Sequence, residues 1–339
     1  MARAMIDGAL LADALREPVS TAGLSPAQWT ALLAIARAEQ LIGTLGYRLQ
    51  GVELPAPVAR ILEEARQSAE QGRTAALWEA EMARRALAPA GIPVILLKGT
   101  AFVAAGLSAG VGRSIGDLDI LVPHARIGEA EAALLDAGWE WVKPDAYDDA
   151  YYRRWMHELP PLIHRERDRM IDVHHTILPR TARVTPNADA LIADSVLLGN
   201  GLRMLSPLDV ICHAAAHLFA DGDLAGGLRN LWDIHCLVEE WGTAGLQDRA
   251  RLHGLGPAVG RAMRQAHRLY GTTVPEAWRG WSALDALYRR RLLARDGWGR
   301  PTRRVTRLAF YMRGHALRMP PAMLARHLLT KWRKGHAPG

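Results

Sequence analysis

Apolar residues recur three and four positions apart through "SPAQWTALLAIARAEQLIGTLGYRL" and again through "PAPVARILEEARQSAEQGRTAALWEAEMARRALAPAG", the spacing of helices that bury one face. Ser25-Pro26 adds an N-cap followed by proline at the first helical position. The period changes after Ala90-Gly91. "IPVILLK" is a short β-branched run suited to a buried strand, and "TAFVAAGL" returns to helix. "LDILVP" reads as a second strand stopped by Pro123, and "RIGEAEAALLDAGWEWV" as a helix ended at Gly138 that passes into a third strand. "HELPPLIHRERDRMIDVHHTIL" reads as two more strands around a charged turn from Arg165 to Arg169, with Pro160 and Pro161 marking the first of them as an edge strand. From Ser206-Pro207, a second cap signal, the pattern is helical again. The expected fold is α+β: a mixed sheet of about four or five strands in residues 91–200, flanked by helical regions at 1–90 and 201–339.

Composition narrows the class. A chain of 339 residues that is 49% hydrophobic can bury a large core. Cys212 and Cys236 are too few for a disulfide framework and lack a Cys-x-x-Cys spacing, so they read as core residues in a reducing compartment. Asp7, Asp13 and Glu17 interrupt the apolar positions of the N-terminus, unlike a secretory signal, and no apolar run approaches the roughly 20 residues of a membrane span. A cytoplasmic protein is expected. The net charge of +7 is uneven, because residues 285–339 carry 14 Lys and Arg against 2 Asp and Glu. This basic tail suggests an anionic partner such as RNA, a membrane surface or an acidic peptide, with a solvated helical face as the plainer reading.

Candidate chemistry is concentrated in "LLKGTAFVAAGLSAGVGRSIGDLDILVP". Asp117 and Asp119 lie two apart on a predicted strand, so their carboxylates share a face while Leu118 and Ile120 point to the core. Such a pair needs a counter-cation, and hard oxygen ligands suit Mg²⁺. Gly99 and Thr100 fall where strand turns into helix, a place where backbone amides bind phosphate oxygens. Lys98 adds a positive charge there, and Arg113 sits four residues before Asp117 in a glycine-dotted loop. Asp172 in "MIDVHH" is the candidate third carboxylate, to hold metal and draw a proton. Strict alternation puts His174 on the face of Asp172 and His175 on the other.

"LLKGTAF", then "RSIGDLDILV", then "IDVHH", then "HAAAHLF" and "LRNLWDIHCLV" together resemble the poorly characterised nucleotidyltransferase family of the polymerase-β-like superfamily over about residues 88–240. The resemblance implies a phosphate turn at Gly99 and Thr100, with threonine in place of serine, metal carboxylates at Asp117 and Asp119, and a third at Asp172. The stretch from Gly99 to Asp117 is longer than in minimal members. It also implies that the helix with His213 and His217, and the segment with Asp233, roof the nucleotide or hold the acceptor. His213 and His217 lie one helical turn apart, which suits an active-site contact, structural hydrogen bonds or a transition metal; no glutamate follows His213, so the zinc-protease pattern is absent. The expected activity is Mg²⁺- or Mn²⁺-dependent transfer of NMP from an NTP, ATP foremost, to an acceptor on protein, peptide, small molecule or RNA. The rival readings are a nucleotide-binding regulatory module without turnover and an RNA-binding or RNA-modifying protein led by the tail.

Overall fold

The computed structural model describes residues 6–142, 146–318, 320 and 324, with the backbone alone over 146–148. The helical lead-in folds as α1 (Ala9–Arg16), α2 (Pro26–Ala38), α3 (Ile42–Arg48) and the 32-residue α4 (Ala56–Leu87). The Ser25 cap is a full capping box, with Gln28 N donating to Ser25 Oγ at 3.4 Å and Ser25 N donating to Gln28 Oε1 at 2.9 Å. In α4 the buried apolar positions run Val58, Leu62, Ala69, Ala76, Ala80, Ala83 and Leu87, a helical stripe whose small residues let neighbours approach closely.

The sheet has seven strands rather than four or five, in the order β3-β4-β5-β2-β1-β7-β6. The expected five are β1 (Ile95–Leu96), β2 (Leu118–Leu121), β3 (Trp139–Trp141), β4 (Leu162–His164) and β5 (Met170–His174). The two additions, β6 (Val196–Leu197) and β7 (Arg203–Met204), form a hairpin that extends the sheet beyond β1. Strands of two residues leave almost no alternation to read, although Asn200-Gly201 between them is a turn signal. β2 pairs antiparallel with β1 and parallel with β5, so the sheet is mixed as expected.

The edge-strand expectation at Pro160 and Pro161 is corrected. β4 lies between β3 and β5, and both prolines precede it, where a missing amide costs the ladder nothing. The Pro161 carbonyl still accepts from Val142 N at 3.1 Å.

α5 (Lys98–Ala104) leaves β1, and α6 (Ile127–Asp136) ends ahead of Gly138 at φ +101°. α7 (Ala146–Trp155), between β3 and β4, has a polar sequence with no strong apolar period and was not expected. α8 (Ala188–Ala193) precedes β6.

The C-terminal part comprises α9 (Pro207–Ala216), a π-helical turn His217–Asp221, α10 (Gly227–Trp241), α11 (Leu246–Leu252), α12 (Gly256–Tyr270), α13 (Ala283–Leu292) and α14 (Arg304–Arg318). α9, α10 and α12 pack on one another, and α10 also abuts the short turn Ser108–Gly110 that leads to Arg113. Buried side chains from Leu11 to Phe310 form one continuous hydrophobic core. Cys212 and Cys236 are buried in it as free thiols. None of the described helices is long and apolar enough to cross a membrane.

Candidate active site

The parallel pairing of β2 with β5 sets Asp119 directly opposite Asp172, and Asp117 lies immediately before β2. Leu118, Ile120, Ile171 and Val173 alternate with the aspartates and are buried, each worth about 1.5–3 kcal/mol, so a one-residue slip that took the acids off this face would be costly. Asp117, Asp119 and Asp172 each offer a carboxylate oxygen within 4.8 Å of the others.

The three acids differ in what balances them. Asp119 Oδ1 accepts from Lys98 Nζ at 2.5 Å and lies 2.9 Å from His174 Nε2. Burial alone would raise its carboxyl, but Lys98 and His174 outweigh burial and hold it well below the usual carboxylate range. No such donor reaches Asp172 Oδ1. Burial first, then the Glu158, Asp119 and Asp117 carboxylates, push Asp172 up to about 7, and its Oδ1 is buried without a hydrogen-bond partner. A site with this excess of negative charge and an orphaned carboxylate oxygen fits a divalent cation.

Lys98 begins α5 at φ +48°, a left-handed conformation uncommon for a residue with a side chain. Gly99 follows, and a larger residue there would have to displace Arg113, since an added Cβ would lie 2.4 Å from Arg113 Nε. Arg113 is carried there by the long 99–117 segment. Gly112, at φ +65°, packs so tightly on α3 that a Cβ would lie 2.5 Å from the backbone of Gly43 and Thr44.

Arg113 Nη1 donates to Asp233 Oδ2. Asp233 Oδ1 in turn accepts from Arg229 at 2.6 and 3.0 Å, and Arg229 also donates to Thr44 Oγ1 at 2.7 Å. Asp233 thus bridges two arginines. Thr100 is buried and its hydroxyl has no partner.

A cleft of about 570 Å³ runs past Lys98, Gly99, Arg113, Asp117, Asp119 and His217. His213 and His217 both line a smaller adjoining pocket of about 40 Å³ with Phe102, Asn230 and Asp233. Burial, then the Lys98 charge, keeps His213 well below its ordinary range and His217 at about 4, so both are neutral. Among the described residues the groups of three or more metal-ligating side chains are the aspartate triad and His157, Glu158 and His174; neither includes His213 or His217. His174 is on the triad's face as alternation requires, whereas His175 packs edge-on against His124 with ring centroids 4.5 Å apart.

The tail is not uniformly an outward-facing basic surface: Arg289, Arg290, Arg300 and Arg304 are exposed, whereas four other arginines face the rest of the chain. Arg295 pairs with Glu39, Arg303 with Asp7 and Arg318 with Asp221, while Arg313 donates to the Phe219 and Gly222 carbonyls. These arginines tie the C-terminal helices to the rest of the chain. Arg326, Lys331, Arg333 and Lys334 lie outside the described residues.

Sequence reasoning missed Glu158, His157, Arg229, Thr44 and Asn230. No spacing rule links them to the aspartates. Residues 157–159 reach the site by running antiparallel to the end of β5, with a bridge between Glu158 and His174. No curated protein matches the chain. A family model described as uncharacterised nucleotidyltransferase matches residues 25–271, which takes in α2 to α12 and reaches well beyond the 88–240 span of the motifs. The aspartate triad lies inside that span, with Asp117 and Asp119 lining one cleft with Lys98 and Arg113, and the chain belongs to this family of uncharacterised nucleotidyltransferases.

Proposed function

We propose that the protein is a divalent-metal-dependent nucleotidyltransferase that moves NMP from an NTP, ATP foremost, to an acceptor hydroxyl or phosphate. The observation that carries this reading is the convergence of three carboxylates across β2 and β5, one of them an orphan, beside a cleft lined by Lys98 and Arg113. Asp117, Asp119 and Asp172 would hold Mg²⁺ or Mn²⁺, which when bound supplies charge neutralisation at the phosphoryl oxygens.

The chain's own groups do the rest. Lys98 and Arg113 face the cleft and offset the charge of the triphosphate. Asp172 takes the proton of the acceptor as its oxygen bonds to the α-phosphorus, and the bond from that phosphorus to pyrophosphate breaks. A cleft of about 570 Å³ has the size of a nucleotide site. Use of several tail arginines as internal tethers weighs against an RNA-binding protein led by that tail.

The test is incubation with each α-³²P NTP, Mg²⁺ or Mn²⁺, and cell extract. Label should pass to an acceptor with the wild-type chain and not with Asp119→Asn or Asp172→Asn. Failure of every NTP to label anything, or equal labelling by the variants, would overturn the assignment.

A further inference from the structure

We propose that His157, Glu158 and His174 form a second metal site, separate from the three aspartates and suited to a zinc-class divalent ion. Their ligand atoms lie within 4.8 Å of one another. The backbone builds the arrangement: Leu159 N donates to Val173 O and His175 N to His157 O, each at 2.9 Å, which lays His157 and Glu158 against the end of β5.

The hydrogen bonds of His174 point to a ligand. Asp119 Oδ1 is a carboxylate oxygen that already accepts from Lys98, so His174 Nε2, 2.9 Å away, must donate to it. In the neutral ring Nδ1 then carries the lone pair. That atom belongs to a side chain only 1% exposed, has no hydrogen bond, and faces Glu158 Oε2 at 3.4 Å. His157 Nε2 lies 3.6 Å from the same oxygen, and His157 Nδ1 is buried without a partner. Electron-rich atoms facing each other in a buried space are costly unless a cation or a shared proton lies between them.

Spacing and donor type identify the ion. Bonds of about 2.0–2.1 Å in a tetrahedron set neighbouring ligands roughly 3.3–3.4 Å apart. The observed 3.4 and 3.6 Å are close to that edge. Two imidazoles and one carboxylate are a zinc-like set, unlike the all-oxygen set of the aspartates. Asp119 would act as the carboxylate that orients a metal-bound histidine, so the second ion would hold His174, and through it Asp119, in place. The competing explanation is a proton with no metal, carried either by His174 as an imidazolium between Asp119 and Glu158 or by Glu158, whose carboxyl burial raises.

The test uses the full-length chain stripped with chelator and dialysed against Zn²⁺ in excess Mg²⁺, with bound zinc counted by mass spectrometry. One zinc per chain is expected, held at least about ten-fold more weakly by His157→Ala and Glu158→Gln and unchanged in Asp117→Asn. Co²⁺ added to the wild-type chain should show the visible bands of four-coordinate cobalt, a readout that requires no variant to fold. Absence of retained zinc or of those bands in the wild type, or zinc lost only in Asp117→Asn, overturns the proposal.

Discussion

Asp172→Asn should stabilise the metal-free protein while removing the proposed chemistry. The carboxyl is pushed from its ordinary 3.8 to about 7 by burial and by three neighbouring carboxylates. Ionising it in the folded protein therefore costs on the order of 4 kcal/mol by pH 7 relative to the unfolded chain. The sign follows from proton counts. Between about pH 4 and 7 the folded state holds the proton that the unfolded state has released, so stability falls as pH rises through this window and is level above it. Asparagine keeps the shape and cannot ionise. Urea unfolding in chelator should show the variant more stable by about 2–4 kcal/mol near pH 8, with the gap closing near pH 4. Mg²⁺ should narrow the gap by stabilising the wild type alone. A variant less stable than wild type at both pH values, or a gap independent of pH, would refute the account of the triad as unbalanced charge.

Gly99→Ala should push Arg113 aside, because its Cβ would lie 2.4 Å from Nε; a cost of about 1–3 kcal/mol in urea and a large loss of transfer rate are expected. Asp233→Asn leaves Arg113 and Arg229 without their shared carboxylate, and about 3–5 kcal/mol of stability should be lost in the same measurement, whereas a loss near zero would mean that water serves both arginines. Burial, opposed by Glu239 and aided by Arg48, keeps His235 at about 4, so the folded protein binds fewer protons than the unfolded chain between pH 4 and about 6.5, and stability drops as the pH is lowered through that window. His235→Gln, which can still meet Thr272 Oγ1, should lessen the drop in urea midpoint between about pH 7.5 and 5.

Where the chain carries a strong local period or a strong stop, the sequence determined the element. Ser25-Pro26, Ser206-Pro207 and Gly138 mark helix ends that the structure has. The alternation through "LDIL" and "MIDVH" was enough to put two aspartates and His174 on one face, since a strand has a period of two whatever surrounds it. Local pattern also showed Lys98, Gly99 and Arg113 as candidates, because lysine and glycine at a strand-to-helix turn and an arginine in a glycine loop are unusual by composition alone.

The tertiary structure decided what pairs with what. Asp119 faces Asp172 only because β2 and β5, some fifty residues apart, lie side by side in parallel register. Arg113 reaches the cleft through a contact between Gly112 and Gly43, and is held there by Asp233 from α10, three segments that no spacing relates. Glu158, which raises the Asp172 carboxyl and faces His174, arrives through backbone pairing of an irregular segment. The Thr100 hydroxyl is buried because exposure of a hydroxyl depends on packing, and Arg295, Arg303 and Arg318 turned inward because Glu39, Asp7 and Asp221 were there to receive them. Charge pairing and burial act through space, and a linear pattern records only which side of its own element each residue occupies.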